Sequence, residues 1–142
     1  MNNDRTIEQE IQAKGKTAPR ITPADIEANI TSEHYFTAAD GVTGAVAVHG
    51  IAVLQSSQSL SLLTFCVLVL RNGFTVTGES ACASPENFDA EIGRKIARQN
   101  AVAKVWPLMG YELRSKLATA DNDFPLGKAC DMSGEGTCEA CQ

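Results

Sequence analysis

Nine consecutive residues, Leu62–Leu70 (LLTFCVLVL), constrain this chain more than any other segment. The run is far short of the ~18 residues that a membrane span needs, and its β-branched and aromatic content reads as a strand. Leu63, Phe65, Val67 and Val69 point one way, while Leu62, Cys66, Leu68 and Leu70 point the other. Apolar residues on both sides predict a strand covered on both faces, by helices or by a partner subunit. Arg71-Asn72-Gly73 follows, and Asn-Gly favours a hairpin turn because both residues tolerate positive φ. Phe74–Ser80 alternates as the returning strand, with Phe74 and Val76 inward and Thr75, Thr77 and Glu79 outward.

Helix signals flank this hairpin. Thr22-Pro23-Ala24-Asp25 combines a threonine cap, a first-turn proline and an acid three residues after the cap, and Ile26 and Ile30 extend it to about two turns. His34–Thr37 reads as extended and Asp40-Gly41 as a turn. Residues 41–59, small and polar, read as a long surface loop with a brief strand at Val46–Val48. Ser84-Pro85-Glu86 predicts a serine-capped helix with Glu86 and Asp89 near its positive end. On that helix Phe88, Ile92, Ile96, Ala103 and Trp106 share an arc of roughly 80°, the expected core face, with Arg94 and Arg98 on another face. Pro107 is expected to break or kink it, and Leu108–Leu117 to form a further helix. The expected fold is α+β: an antiparallel β-hairpin core packed by a long C-terminal helix, with a short N-terminal helix. Residues 1–20 read as a flexible N-terminal arm or short exposed helix, 21–119 as a single domain, and 120–142 as a disordered cysteine-containing tail.

The 142-residue chain is 44% hydrophobic and 20% charged, which excludes fibrous and wholly disordered classes and fits one domain. Its polar, acidic start (MNNDRTIEQE) is not a signal peptide, so the expected compartment is a cytoplasm, where thiols stay reduced. Cys138-x-x-Cys141, with Cys130 upstream, has zinc-knuckle spacing, but three thiols without a histidine leave a tetrahedral site one ligand short. A zinc-dependent interaction module in the tail is therefore only an alternative, and no metal or cofactor is expected. Cys66 and Cys82 read as small core fillers. No nucleophile elbow, Walker loop or dinucleotide fingerprint occurs, since Gly41-x-x-Gly44 lacks the third glycine. His34 and His49 stand alone, and Glu79 reads as a polar residue on the open face of the hairpin rather than as a buried general base. The chain is not expected to be an enzyme; nucleotide cleavage with Glu79 as base is the enzymatic alternative.

The net charge of −5 counts against general nucleic-acid coating. Between Arg94 and Lys116, however, six basic groups face Glu112 alone. Arg94 and Arg98, one turn apart, have the spacing to clamp a phosphate bidentately. Lys95 and Lys104 add charge, the Asn100 amide can read a base edge, and Phe88 or Trp106 can supply a stacking face. The plainer reading is a solvated basic face with core aromatics opposite. Arg5, in the arm, is expected to lie outside any site.

The runs SEHYFTAADG (32–41) and LLTFCVLVLRNGFTVTGESACASPENFDAEIGRKIARQNAVAKVWPLMGYEL (62–113) resemble a family of small tailed-phage and prophage proteins, the gene-product-forty-nine/gene-sixty-six-like family. The strand, the Asn-Gly-Phe turn, the Gly-Glu-Ser-Ala-Cys segment and a helix ending Lys-x-Trp also resemble the first type of phage anti-Thoeris protein. That resemblance implies an α+β homo-oligomer, a dimer or hexamer, that sequesters a cyclic ADP-ribose-type or cyclic nucleotide immune signal without cleaving it in the host bacterial cytoplasm. It places the ligand first at Asn100, then at Arg98, Arg94 and Phe88 on the same helix, and after these at Arg71 and Arg114. The competing expectation is a phage accessory protein binding nucleic acid through the basic helix 94–116.

Overall fold

The computed structural model describes residues 3–49 and 58–122. Helices α1 (Asn3–Ala13) and α2 (Pro23–Asn29) precede strand β1 (Ile30–Thr37). Helix α3 (Ala38–His49) and the short α4 (Gln58–Ser61) lead into the hairpin of β2 (Leu63–Leu70) and β3 (Thr75–Ala81). A 3-10 turn at Pro85–Asn87 then gives way to α5 (Ala90–Asn122). The strands make one antiparallel sheet in the order β1-β2-β3, and α5 packs across β3 and β2. The chain is α+β, a hairpin-centred sheet packed by a long C-terminal helix. None of the described helices is long and apolar enough to cross a membrane.

The hairpin forms where its alternation predicts, with three adjustments. Thr64, Cys66, Leu68 and Leu70 make the buried side of β2; Thr64 occupies the place expected for Leu62, which lies in the turn before the strand. The other side is half-buried rather than covered: Phe65 stacks on Phe36 of β1 at 5.5 Å between centroids, and α3 reaches this face through Gly41 against Phe36. Phe74 is exposed, not inward. The connection is a three-residue loop in which the Gly73 N–H donates to Leu70 O at 2.9 Å and Gly73 takes φ +84°, a left-handed conformation that glycine adopts freely. Asn72 Oδ1 accepts from the Phe74 N–H at 3.0 Å, holding Phe74 at the tip.

Residues 38–49 are helical, so the expected Asp40-Gly41 turn and Val46–Val48 strand are both overturned. The cause is a capping box. The Thr37 N–H donates to Asp40 Oδ2 at 2.9 Å, and the Asp40 N–H donates to Thr37 Oγ1 at 3.1 Å. The Thr37 N–H first, then the Thr37 hydroxyl, holds the Asp40 carboxyl below the usual carboxylate range. An identical box, Thr22 with Asp25, opens α2 as expected. Residues 58 and 59, also expected in the loop, begin α4, while 50–57 and the His49 side chain lie outside the described residues.

Helix α5 departs from expectation at its start, its middle and its core face. Ser84 makes no side-chain cap bond. Asp89 caps α5 instead, accepting from the Ile92 N–H at 2.9 Å, so Phe88 sits before the helix, half-buried. Pro107 lies inside a single helix running to Asn122, past the expected domain boundary at 119. Its missing N–H leaves the carbonyl of exposed Ala103 to water. The face against the sheet is Gly93, Ala97, Ala101 and Val105, and the last three have no exposed surface at all. Ile92 and Ile96, expected in the core, are 56% and 42% exposed.

Gly78 explains that inversion. A Cβ at Gly78 would collide with the main-chain Ala97 O and Ala101 N of α5, so helix and strand meet backbone to backbone. At that separation only a stripe of small residues fits, and the larger arc is turned outward. Cys66, Leu68, Leu70, Val76 and Ile26 complete the core, with Trp106, Tyr35 and Ile21 packed at its margin. Burial pushes the Cys66 thiol above its ordinary range, in keeping with a structural filler. The cysteine tail from residue 123, with Cys130, Cys138 and Cys141, lies outside the described residues.

Gly78→Ala is therefore expected to lower unfolding free energy by about 3 kcal/mol or more, because neither main-chain atom can give way. Gly110→Ala, further along α5 with nothing near its Cβ position, is expected to raise it by about 0.5–1 kcal/mol. Urea titration followed by circular dichroism measures both.

Candidate functional site

Helix α1 has no buried residue, yet it does not hang free. Glu8 on α1 accepts a bidentate pair from Arg20, just before α2, at 2.5 and 2.6 Å. That fork, helped by Gln12, holds the Glu8 carboxyl at about 2, well below the usual carboxylate range. The clasp stands α1 across from α5 and encloses an open cleft of about 1230 Å³. Its α5 wall presents Arg98, Gln99, Val102, Ala103 and Trp106; its other walls include Arg5, Gln9 and Gln12 of α1 and Glu27 of α2. One end is apolar, where Ile7, Ile11, Ile21 and Pro23 surround Trp106. Three arginines (Arg5, Arg20, Arg98) are balanced by three acids (Asp4, Glu8, Glu27), so the lining is polar without net charge.

Arg98 is the hub of this wall. Its Nε and Nη2 donate to Glu33 Oε1 at 2.9 and 2.7 Å, while Nη1 and Nη2 donate to the Glu27 carboxylate at 3.2 and 2.8 Å. The Tyr35 hydroxyl donates to Glu33 Oε2 at 2.7 Å. The guanidinium thus ties α5 to α2 and to β1. Arg98, then Tyr35, hold the Glu33 carboxyl low against its partial burial; the burial of Tyr35 itself, then its bond to Glu33, pushes the phenol up. Two carboxylates on one guanidinium leave an excess negative charge here, the opposite of a vacant phosphate clamp.

The other expected site residues do not gather at this cleft. Asn100 Nδ2 donates to Glu79 O at 2.7 Å, so its amide is committed to the edge of β3. Arg94 is exposed on α5 and Arg114 exposed on its distal half, and neither carries an ion pair among the described residues. Arg71 is exposed in the hairpin loop, and Phe88 lies before α5. The local positive excess read between Arg94 and Lys116 also largely disappears in space. Lys95 pairs with Glu91, Arg98 with Glu27 and Glu33, Lys104 with Glu79, and Lys116 with Glu112. Arg5, expected to lie outside any site, instead lines the cleft. Sequence reasoning missed the cleft because its α1 wall depends on Glu8 meeting Arg20, a pairing without a periodic signature. Trp106 was visible as a stacking candidate, although it was read as part of a buried arc.

A phage protein family model, N4 Gp49/phage Sf6 gene 66, matches residues 21–117. The chain belongs to that family. Neither the curated proteins nor the solved structures contain a match. The family range holds the whole sheet, the α5 wall and the Arg98–Glu27–Glu33 cluster. Helix α1 and Arg20 fall before it, so the cleft joins a family wall to one outside the matched range.

Trp106 is the sole tryptophan and lies at the apolar end of the cleft, so its emission reports on the clasp. A carboxyl depressed in the folded state stabilises above its unfolded pKa and loses that contribution as pH falls through its folded value. Emission is therefore expected to hold from neutral pH to about 4 and to shift to the red between about pH 4 and 2. Glu8→Gln should show the shifted spectrum already at neutral pH.

Proposed function

We propose that this member of the phage family binds and sequesters a cyclic ADP-ribose-type or cyclic nucleotide immune signal without cleaving it. It would act as a homo-oligomer in the host bacterial cytoplasm, as an anti-defence protein. The observation that carries this reading is the α5 wall of the cleft, which lines it with the adjacent Arg98 guanidinium and Gln99 amide and, about two turns further on, the Trp106 ring. An indole can stack a purine, an amide can meet a base or ribose edge, and a guanidinium can hold a phosphate by charge-assisted bonds. Arg5, on the facing wall, has no ion pair among the described residues and can meet a second phosphate. Sequestration needs affinity and no general base, so Arg, Gln and Trp side chains suffice.

A phosphate at Arg98 must compete with its acids, and these differ in accessibility. The Glu27 side chain is 59% exposed and the Glu33 side chain 32%. On this reading Glu27 yields its place while Glu33 keeps the guanidinium oriented. The alternative, nucleic-acid binding through helix 94–116, is weakened because four of the six basic groups there are ion-paired. It predicts steep salt dependence.

Calorimetry against cyclic ADP-ribose isomers and cyclic oligonucleotides tests the reading directly. Micromolar or tighter binding is expected, with the nucleotide recovered intact by chromatography after heating. Trp106→Leu and Gln99→Ala should each weaken it about tenfold or more. Glu27→Gln should tighten it about fivefold, since an exposed ion pair competes with up to ~1 kcal/mol. If nothing binds below about 10 μM, or if cleavage products appear, the reading is wrong.

A further inference from the structure

The two edges of the sheet are treated differently. The Leu70 N–H donates to Phe74 O and the Cys82 N–H donates to Leu62 O, so even-numbered residues of β2 turn their main-chain groups toward β3. Odd-numbered residues of β2 face β1, as the bond from Thr31 Oγ1 to Val69 O also shows. The register then fixes the outer edges. On β3 the odd-numbered residues turn outward, with Thr77 and Glu79 at the middle of the edge. The carbonyls of these two are capped by α5: Lys104 Nζ donates to Thr77 O and Asn100 Nδ2 to Glu79 O, each at 2.7 Å. The middle of that edge is closed to a further strand.

On β1, Ser32, His34 and Phe36 lie opposite Val69, Val67 and Phe65 and turn their main chain inward. Glu33, Tyr35 and Thr37 therefore turn theirs outward, the alternation being interrupted at Thr31 by an irregularity between Ile30 and Ser32, and the main-chain groups of Glu33 and Tyr35 have no partner among the described residues. The strand is eight residues long; the irregularity at Thr31 interrupts its edge at one end, while its middle, Glu33–Tyr35, contains neither proline nor lysine. Helix α5 packs on β3 and β2 and reaches β1 through Arg98, which bonds the Glu33 side chain.

We infer that a second copy of this chain occupies the edge of β1, two β1 strands pairing antiparallel about His34 to continue the sheets through the interface. The strand is self-complementary in that register. Glu33 comes opposite Tyr35 of the second copy, both with outward N–H and C=O, so each such pair exchanges two hydrogen bonds and symmetry doubles them. Thr37, opposite Thr31 in this register, adds no N–H, since its own is already given to Asp40. Centring the pair on Glu33 instead would set carboxylates opposite each other. A foreign extended peptide would find the same bonds, but not this matching of Glu33 to Tyr35 and Ser32 to Phe36. The inference builds on the homo-oligomer reading above and is independent of the ligand.

Light scattering of the full chain and its variants tests it. Glu33→Pro removes one outward N–H at a position where an edge strand tolerates proline. Glu33→Ala removes the carboxylate and the Arg98 pair but keeps that N–H. His34→Lys sets two ammonium groups against each other across the two-fold axis. Wild type and Glu33→Ala are expected at the same oligomeric mass, with Glu33→Pro and His34→Lys at half of it and with unchanged circular dichroism. If Glu33→Pro fails to fold, His34→Lys decides. A wild-type monomer on the order of 10 μM overturns both the edge pairing and the homo-oligomer reading. Four proteins of equal oligomeric mass overturn the edge pairing alone and leave ligand binding untouched.

Discussion

The close approach of α5 to β3 at Gly78 fixes most of what surrounds it. Because a Cβ there would meet the main chain at Ala97 and Ala101, the helix must turn its smallest stripe inward, and Gly93, Ala97, Ala101 and Val105 supply it at four-residue spacing. Gly93 extends the seat to β2, where an added Cβ would stand 3.1 Å from Thr64 Oγ1. Once that stripe is seated, helix geometry sets every other side chain of α5. Asn100 and Lys104 fall over the outer edge of β3, Arg98 falls toward α2 and β1, and Trp106 reaches the margin of the core. The capped edge and the α5 wall of the cleft are two consequences of one packing contact.

Charge follows the same logic. A count along the chain finds a strongly basic segment, but the fold distributes acids from α2, β1, β3 and α5 itself among its cations. Lys95 and Lys116 find theirs one turn away on exposed surface, where such pairs contribute little. Arg98 differs. It is partly buried, makes four hydrogen bonds to two carboxylates and links three elements, so it organises the site whether or not it meets a ligand. For a nucleotide, the relevant quantity is how readily the more exposed acid gives way, not the number of cations nearby.

The hairpin was legible because period-two alternation and a glycine turn act locally, within about a dozen residues. The start of α2 was legible because a proline reinforced the Thr22–Asp25 box. The box at Thr37–Asp40 was present in the same residue types, but the glycine after Asp40 suggested a turn, and it took the hydrogen bonds themselves to show a helix. The core face of α5 was misread for a different reason. Periodicity weighs residues by hydrophobicity, so Ile92 and Ile96 outranked Ala97 and Ala101, whereas the sheet at Gly78 selects by size. The misplaced helix start follows from similar competition, with Ser84 and Asp89 both competent caps and only Asp89 followed by the continuous helix. Family membership was readable from residues 32–41 and 62–113, since those blocks hold the strand and helix contacts just described.

The cleft and the open edge belong to different levels of this architecture. The edge of β1 lies inside the family range, and the outward main-chain groups of Glu33 and Tyr35 have no partner among the described residues. The α5 wall of the cleft lies inside that range too, but the facing wall is held by one ion pair between Glu8 and Arg20, both before residue 21. Exchanging α1 would therefore alter what the cleft admits without disturbing the Arg98 cluster, the sheet or its edge. On the proposed reading, affinity for a phosphate resides in the family core, whereas selectivity for the rest of the ligand resides in a helix that can change independently.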